Sequence, residues 1–423
     1  MSKCIYQITG KPDYKEVNFK IDECRYNNYK LSGEVLLQHY KYDKIVILRP
    51  ESIKEDNQCL INTLIVKNEN KNKVEVLDIH AIGRYEDKEY ISNITNISLR
   101  IFIHMLENAE KIICDISTGH NIYTYALMEA ARFFTTFRKL INNNQELITQ
   151  FAVSEPLSES NQQHPYNIFI EELKTHVFFS FPLTKNDIEN LKLTSYLDTN
   201  DENIKREIGQ RYEELCRDLK CVIKDALKAY NAIRYNTPLV FQKLLKLEDE
   251  NNICGLITEL NKFCKDILET NSENCRRLML KRDIYNLYLA LAIYYSIIKN
   301  VNTIKIESLD DLIKFKDIYN RLGFDINNRF LEREINEIKS YKDYISDKEK
   351  SLDEIFKNKG FQNQDNQKID NRDNKGSDNK RNFFAHAGLE RTLVKVKRVN
   401  DKIMIEYDDN KKEEICKWLR DPS

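Results

Sequence analysis

Apolar residues in the first 183 positions come in short clusters that switch between two periods. Cys4-Ile5-Tyr6-Gln7-Ile8 is an apolar run of strand length, closed by the turn Thr9-Gly10-Lys11-Pro12. Residues 44–48, closed by Arg49-Pro50, residues 74–82 and residues 111–116 predict three further strands. Between them, residues 96–109 place Ile97, Leu99, Ile101, Phe102 and Met105 at helical spacing, and a second helix follows from 121 to 137. Strands alternating with helices predict a parallel, doubly wound α/β sheet. Two later runs, 166–170 and 176–181, predict an added antiparallel hairpin.

Beyond Leu183 the pattern lengthens to helices. Residues 204–232 are charged and periodic, which predicts one connecting helix; 253–268 and 273–298 predict two more. In the last of these, Ile284, Leu287, Leu289, Ala290, Leu291 and Ile293 make the helix apolar nearly all round, so it is expected to be buried. Residues 359–380 are polar and rich in Asn and Asp, the composition of an exposed loop or a disordered segment. Arg381-Asn382-Phe383-Phe384-Ala385-His386-Ala387-Gly388 then predicts the start of a helix. Residues 392–399 and 402–407 flank Asn400-Asp401, the signal of a β-hairpin. The expected layout is an α/β domain over 1–183, a helical connector over 184–250, and an all-α domain with a small C-terminal hairpin over 251–423.

Composition narrows the classes. At 423 residues and 41% hydrophobic, the chain is long enough for two or three cores. Charged residues are 31% yet leave a net charge of -1, without the basic excess of a protein that coats duplex DNA. Nucleic acid is therefore expected as a transient substrate or as a small ligand in a local basic pocket. The ten cysteines are scattered singly, and the closest pair, Cys216 and Cys221, has no histidine nearby. Neither zinc spacing nor a disulfide framework is present. The first residues lack the apolar run of a signal peptide, and residues 287–298 are too short for a membrane span, so a reduced cytoplasm is expected.

His386 is the only histidine after His176. On a helix, Asn382 and His386 share one face, and the long Arg381 side chain reaches the same groove. An arginine, an amide and an imidazole suit cleavage of RNA without metal. The ribose 2′-OH is already the nucleophile, histidine moves protons near neutral pH, and arginine offsets charge growing on phosphate oxygens. The same residues also read as ordinary polar groups at a helix start.

A second candidate site is Asp115-Ile116-Ser117-Thr118-Gly119-His120-Asn121, where a strand hands over to a helix. Open α/β sheets bind ligands at the carboxyl ends of their strands, and a helix start offers N–H groups to phosphate. Gly119 permits close backbone approach, Ser117, Thr118 and Asn121 add polar contacts, and His120 lies in the same loop. Thr9, Gly10 and Lys11 leave the first strand at the same edge, and the lysine suits a phosphate. A capped helix without ligand fits these residues equally. No Gly-x-Gly-x-x-Gly follows the first strand, which argues against a nicotinamide cofactor.

The string Arg-Asn-Phe-Phe-Ala-His-Ala-Gly, late in a helical domain, resembles the active-site helix of HEPN ribonucleases. That resemblance implies catalytic roles for Arg381 and His386, with Asn382 as the polar residue after the arginine, and two such helices facing across a homodimer. Asp-Ile-Ser-Thr-Gly-His-Asn resembles the Asp-x-Thr-His-Gly-x-Asn signature of CARF domains, with Thr118 where that signature has histidine and the histidine displaced to His120. Together they resemble the CRISPR-associated CARF–HEPN ribonucleases of the Csx/Csm type. The resemblance implies a Rossmann-like CARF domain, then an all-α HEPN domain. It also implies activation by cyclic tetra-adenylate or cyclic hexa-adenylate, a single-stranded RNA substrate, a 2′,3′-cyclic phosphate product, no metal, and a homodimer or higher even oligomer. The ring ligand would sit on Thr9, Gly10, Lys11, Ser117, Thr118, Gly119, His120 and Asn121. Two other readings stay open: a non-enzymatic ligand sensor with a helix-turn-helix in 184–250, and a ring nuclease that degrades its own ligand with Ser117, Thr118 or Lys11.

Overall fold

The computed structural model describes residues 2–10, 14–53, 62, 73–85, 87–117, 121–142, 148–156, 164–175, 179–269, 278–360 and 375–422. They divide into two compact units. One comprises Met1–Val177, Lys192–Glu213 and Thr258–Tyr285; the other comprises Phe178–Leu191, Glu214–Ile257 and Asn286–Ser423.

In the first unit the apolar runs lie side by side as the middle of an eight-stranded sheet. The strands are β1 (Ser2–Ile8), β2 (Val17–Ile21), β3 (Cys24–Tyr29), β4 (Lys44–Pro50), β5 (Val74–Ile79), β8 (Ala109–Asp115), β9 (Thr149–Ser154) and β10 (Tyr166–Leu173), with a separate small hairpin of β6 (Gly83–Tyr85) and β7 (Lys88–Tyr90). The order is β3-β2-β10-β9-β8-β1-β4-β5. From β9 through β5 every pairing is parallel. Strands buried on both faces need no alternation, which is why β1 and β4 read as continuous apolar runs. Ile5, Ile45, Ile47 and Ile113 face helix α1 (Ser32–His39) with Val35 and Leu36. Tyr6, one residue out of phase, turns to the other face and hydrogen-bonds His104 of α2 (Ile94–Asn108). Helix α3 (Asn121–Asn142) packs on α2, and the sheet carries helices on both faces.

Several expectations need correction. The hairpin predicted from 166–170 and 176–181 is built differently: β10 pairs antiparallel with β9. Residues 176–178 lie outside the described set, and 179–181 are irregular. Phe179 and Phe181 pack on Tyr230 in the second unit, so their alternation serves a helix surface and not a ladder. The single helix predicted over 204–232 is two, α4 (Glu202–Arg211) and α5 (Glu213–Arg234). Tyr212 caps the break and donates its hydroxyl to Asp266.

Helix α6 spans Glu250–Glu269. The helix predicted from 273 begins only at Ile284 as α7 (Ile284–Val301), residues 273–277 lying outside the described set. The backbone before it is claimed by Asn96, whose amide donates to the Leu278 carbonyl and accepts from Leu280 N–H, both at 2.9 Å. As expected, Ile284, Leu287, Ala290, Leu291 and Ile293 are buried.

The second unit continues through α8 (Phe315–Leu322), α9 (Ile326–Lys339) and α10 (Leu352–Gly360). Residues 361–374 of the expected polar loop lie outside the described set, but its end is helical: α11 runs Lys375–Ala385. The predicted hairpin is present as β12 (Val394–Val399) and β13 (Lys402–Tyr407), with Asn400 and Asp401 at φ 46 and 63. Two successive left-handed residues match the right-handed strand twist. A short β11 (Lys350–Ser351) makes this a three-stranded sheet, and α12 (Lys412–Arg420) closes the chain.

Asn96→Ala would remove the partner of the half-buried Leu278 carbonyl and of the buried Leu280 N–H. A loss of about 3 kcal/mol is expected in urea denaturation; a loss under about 0.5 kcal/mol would show the two bonds to be dispensable.

Candidate functional site

The Arg381–Gly388 motif closes a helix; it does not open one as predicted. His386 follows the last residue of α11, and its N–H still donates to the Asn382 carbonyl at 3.0 Å. Ala387 and Gly388 then take φ of 54 and 73, and Gly388 N–H returns to the Phe383 carbonyl at 2.8 Å. This is the bonding of a Schellman stop, with Ala387 at its left-handed position and Gly388 directly after it. Gly388 is needed for room as well as for φ. A Cβ there would stand 2.8 Å from the Tyr407 hydroxyl and 3.0 Å from Thr237 Cβ.

The aromatic pair fixes the rotation of the helix. Phe383 is fully buried, 5.4 Å from Trp418 and 6.2 Å from Tyr407 between ring centroids, and Phe384 meets Tyr235 at 5.0 Å. With Phe383 turned inward, Arg381 and Asn382 are left exposed. Among the described residues, no hydrogen bond or ion pair engages the Arg381 guanidinium.

His386 has a partner that sequence reading missed. Its Nδ1 lies 3.1 Å from Oε2 of Glu334, whose side chain is only 7% exposed while that of His386 is 42% exposed. The other carboxylate oxygen, Oε1, accepts from Arg333 Nη2 at 2.9 Å and from Nε at 3.3 Å. Glu334 stands on α9 among Leu331, Ile335 and Ile338, all buried. A glutamate on the apolar stripe of an amphipathic helix was the available sequence signal, since a buried carboxylate requires partners.

The second candidate site lies at the carboxyl ends of the central strands. Gln7 is in register with both Asp115 and Ile47, so the loops after β8, β1 and β4 leave one edge. The chain passes from β1 to β4 and β5 on one side and returns through β8 and β9 on the other. The topological switch point is therefore between β1 and β8. Thr9 and Gly10 follow β1 there, Ser117 follows β8, and Asn121 opens α3 and is exposed. Lys11, Thr118, Gly119 and His120 lie outside the described residues.

Beneath that edge is a buried polar network. Asp115 accepts from the Ser32 hydroxyl at 2.6 Å and from Ser117 N–H at 3.0 Å. Gln7 donates to the Ser32 hydroxyl at 3.3 Å and accepts from Gly33 N–H at 3.2 Å. The Ser117 hydroxyl accepts from Ser154 N–H at 2.8 Å, and the Thr9 hydroxyl donates to the Leu48 carbonyl at 3.3 Å. Gly10 N–H donates to the Tyr14 hydroxyl at 2.6 Å. Burial pushes the Asp115 carboxyl above its usual range, although the Ser117 and Ser32 bonds pull the other way. Ser32 and Gln7 escaped sequence analysis because they come from separate elements that only the parallel register aligns.

Two predictions follow from these geometries. Gly388→Ala should cost about 2 kcal/mol in chemical denaturation, from a strained left-handed residue and a blocked Cβ; unchanged stability would contradict the stop described. Asp115 titrates higher folded than unfolded, so its charge costs stability in full above the folded value, and the cost is lost as pH falls through that value toward the unfolded one. Wild type should thus gain stability relative to Asp115→Asn on acidification from pH 7 through the carboxylate range, measured by denaturation at each pH. A gap that is flat or widens would contradict the burial cost.

The family model described as the CARF domain of the CRISPR system endoribonuclease Csx1 matches residues 4–156, which contain the switch-point edge. The model described as the HEPN domain of the same endoribonuclease matches residues 324–411, which contain Glu334, Arg381 and His386. No curated protein matches the chain. Among solved structures, Enterococcus italicus Csm6 bound to cyclic hexa-2'-fluoro-hexa-dAMP is similar at 15% identity, over 99% of this chain and 98% of that one, with a TM-score of 0.27. With an α/β sheet domain first, a helical domain second, and each matched by its own model, the chain belongs to the CRISPR-associated CARF–HEPN endoribonucleases of type III systems.

Proposed function

We propose that this protein is a cyclic oligoadenylate-activated endoribonuclease that cuts single-stranded RNA in the cytoplasm with Arg381, Asn382 and His386, without a metal ion. The observation that carries this reading is the placement of His386. One ring nitrogen is engaged by a nearly buried glutamate, on the same helix end as an exposed arginine and an exposed asparagine. Those groups supply proton transfer and charge neutralisation, the two needs of RNA transesterification. Sensing is assigned to residues 1–183, relay to 184–250 and cleavage to 251–423.

The step runs as follows. The ribose 2′-oxygen forms a bond to phosphorus while its proton passes to His386. The bond from phosphorus to the 5′-oxygen breaks, and that oxygen takes a proton from the imidazolium of a second copy. Arg381 neutralises the charge on the non-bridging oxygens, and Asn382 orients the phosphate. The products are a 2′,3′-cyclic phosphate and a 5′-hydroxyl. Two copies provide the two imidazoles, and a ring ligand of matching symmetry lies across two switch-point edges, with the tetra-adenylate ring as first choice and the hexa-adenylate ring as second. The ring activates only if it favours one arrangement of the pair over another.

Labelled single-stranded RNA incubated in EDTA with cyclic tetra-adenylate or cyclic hexa-adenylate should be cut to cyclic-phosphate ends, and much more slowly without a ring. His386→Ala should reduce the rate by roughly a hundredfold or more. Equal cleavage by wild type and variant would end the assignment.

A further inference from the structure

We infer that Glu334 is a positioning residue of the cleavage site, which holds neutral His386 as the Nδ1-protonated tautomer and leaves Nε2 to accept the 2′-OH proton. The inference rests on His386 being the acid–base group. It begins from the donor inventory. An ionised carboxylate only accepts hydrogen bonds, so the 3.1 Å contact from His386 Nδ1 to Glu334 Oε2 requires the proton on Nδ1. Arg333 donates to the other oxygen of Glu334 through both Nη2 and Nε. The carboxylate is thereby divided, one oxygen for a guanidinium and one for the imidazole.

The division matters when the proton arrives. On accepting the 2′-OH proton at Nε2, His386 becomes an imidazolium with Nδ1 still bonded to the carboxylate. It also sits at the C-terminal end of α11, where the helix dipole favours positive charge. Both terms stabilise the charged ring more than the neutral one, so they act on the barrier and not on RNA binding. A surface ion pair of Glu334 with Arg333 alone would explain neither the burial of the carboxylate nor the direction of its second oxygen.

Glu334→Gln discriminates between the two roles. Arg333 offers only donors, so the glutamine oxygen turns to it and the NH2 group faces His386. Nδ1 must then accept, and the proton moves to Nε2, the atom that should be bare. Cleavage of a mixed-sequence fluorophore–quencher RNA, with saturating cyclic tetra- or hexa-adenylate, should lose about a hundredfold in kcat with KM within about threefold. In the full-length, 15N-histidine-labelled protein, His386 is identified by the signal missing from His386→Ala. It should show a protonated Nδ1 and a bare Nε2 above its titration, and the reverse in Glu334→Gln. Should the variant not fold, the wild-type spectrum decides alone. A proton on Nε2 in wild type, or a variant kcat within about threefold of wild type, overturns the role of Glu334. If His386→Ala also cleaves normally, the nuclease assignment fails instead, which is a separate result.

Discussion

The helix Lys375–Ala385 ends at His386 because Ala387 and Gly388 take left-handed backbone conformations, and the rest of the candidate site depends on where that end falls. One further helical residue would swing the imidazole about 100° around the axis. Phe383 sets the rotation by entering the core between Tyr407 of β13 and Trp418 of α12. The C-terminal hairpin and final helix, which carry no proposed catalytic group, are thus the floor on which Arg381, Asn382 and His386 are oriented. Glu334 reaches His386 from a different helix, so the site is a tertiary product of α9 and α11 together.

The sensing unit uses a buried polar network in the same way. Asp115, Ser32, Gln7 and Ser117 join β8, α1, β1 and the loop at the switch point. Each donor finds an acceptor, which keeps so polar a cluster tolerable beneath a sheet edge. Ser117 touches that network through its N–H and also lies in the signature loop, so a ligand seated on the loop would press on the network directly. Burial raises the Asp115 carboxyl, and its hydrogen bonds with Ser117 and Ser32 oppose that shift.

Much of this was legible along the chain. The central strands announced themselves as apolar runs because parallel strands are buried on both faces, and α2 and α3 through their periodicity. The edge strand β3 was invisible: Cys24-Arg25-Tyr26-Asn27-Asn28-Tyr29 is largely exposed and carries no alternation. The hairpin around 176–181 misled because Phe179 and Phe181 alternate to meet a helix, which period alone cannot distinguish from a ladder. At the candidate site, the motif singled out Arg381, Asn382 and His386, but the helix direction could not be read from it. The left-handed Ala387 before Gly388, which decides it, is an alanine that no propensity would place there. Glu334 lies 52 positions from His386, and only folding shows the pair.

In the proposed mechanism one imidazole acts as base and another as acid, so two copies would contribute to one event. Mixing wild-type protein with His386→Ala protein and re-equilibrating the copies tests this directly. With the ring activator saturating, activity should fall as the square of the wild-type fraction, because only pairs with two imidazoles cut. Activity falling in simple proportion to that fraction would show each copy cutting on its own, and the shared site would be wrong.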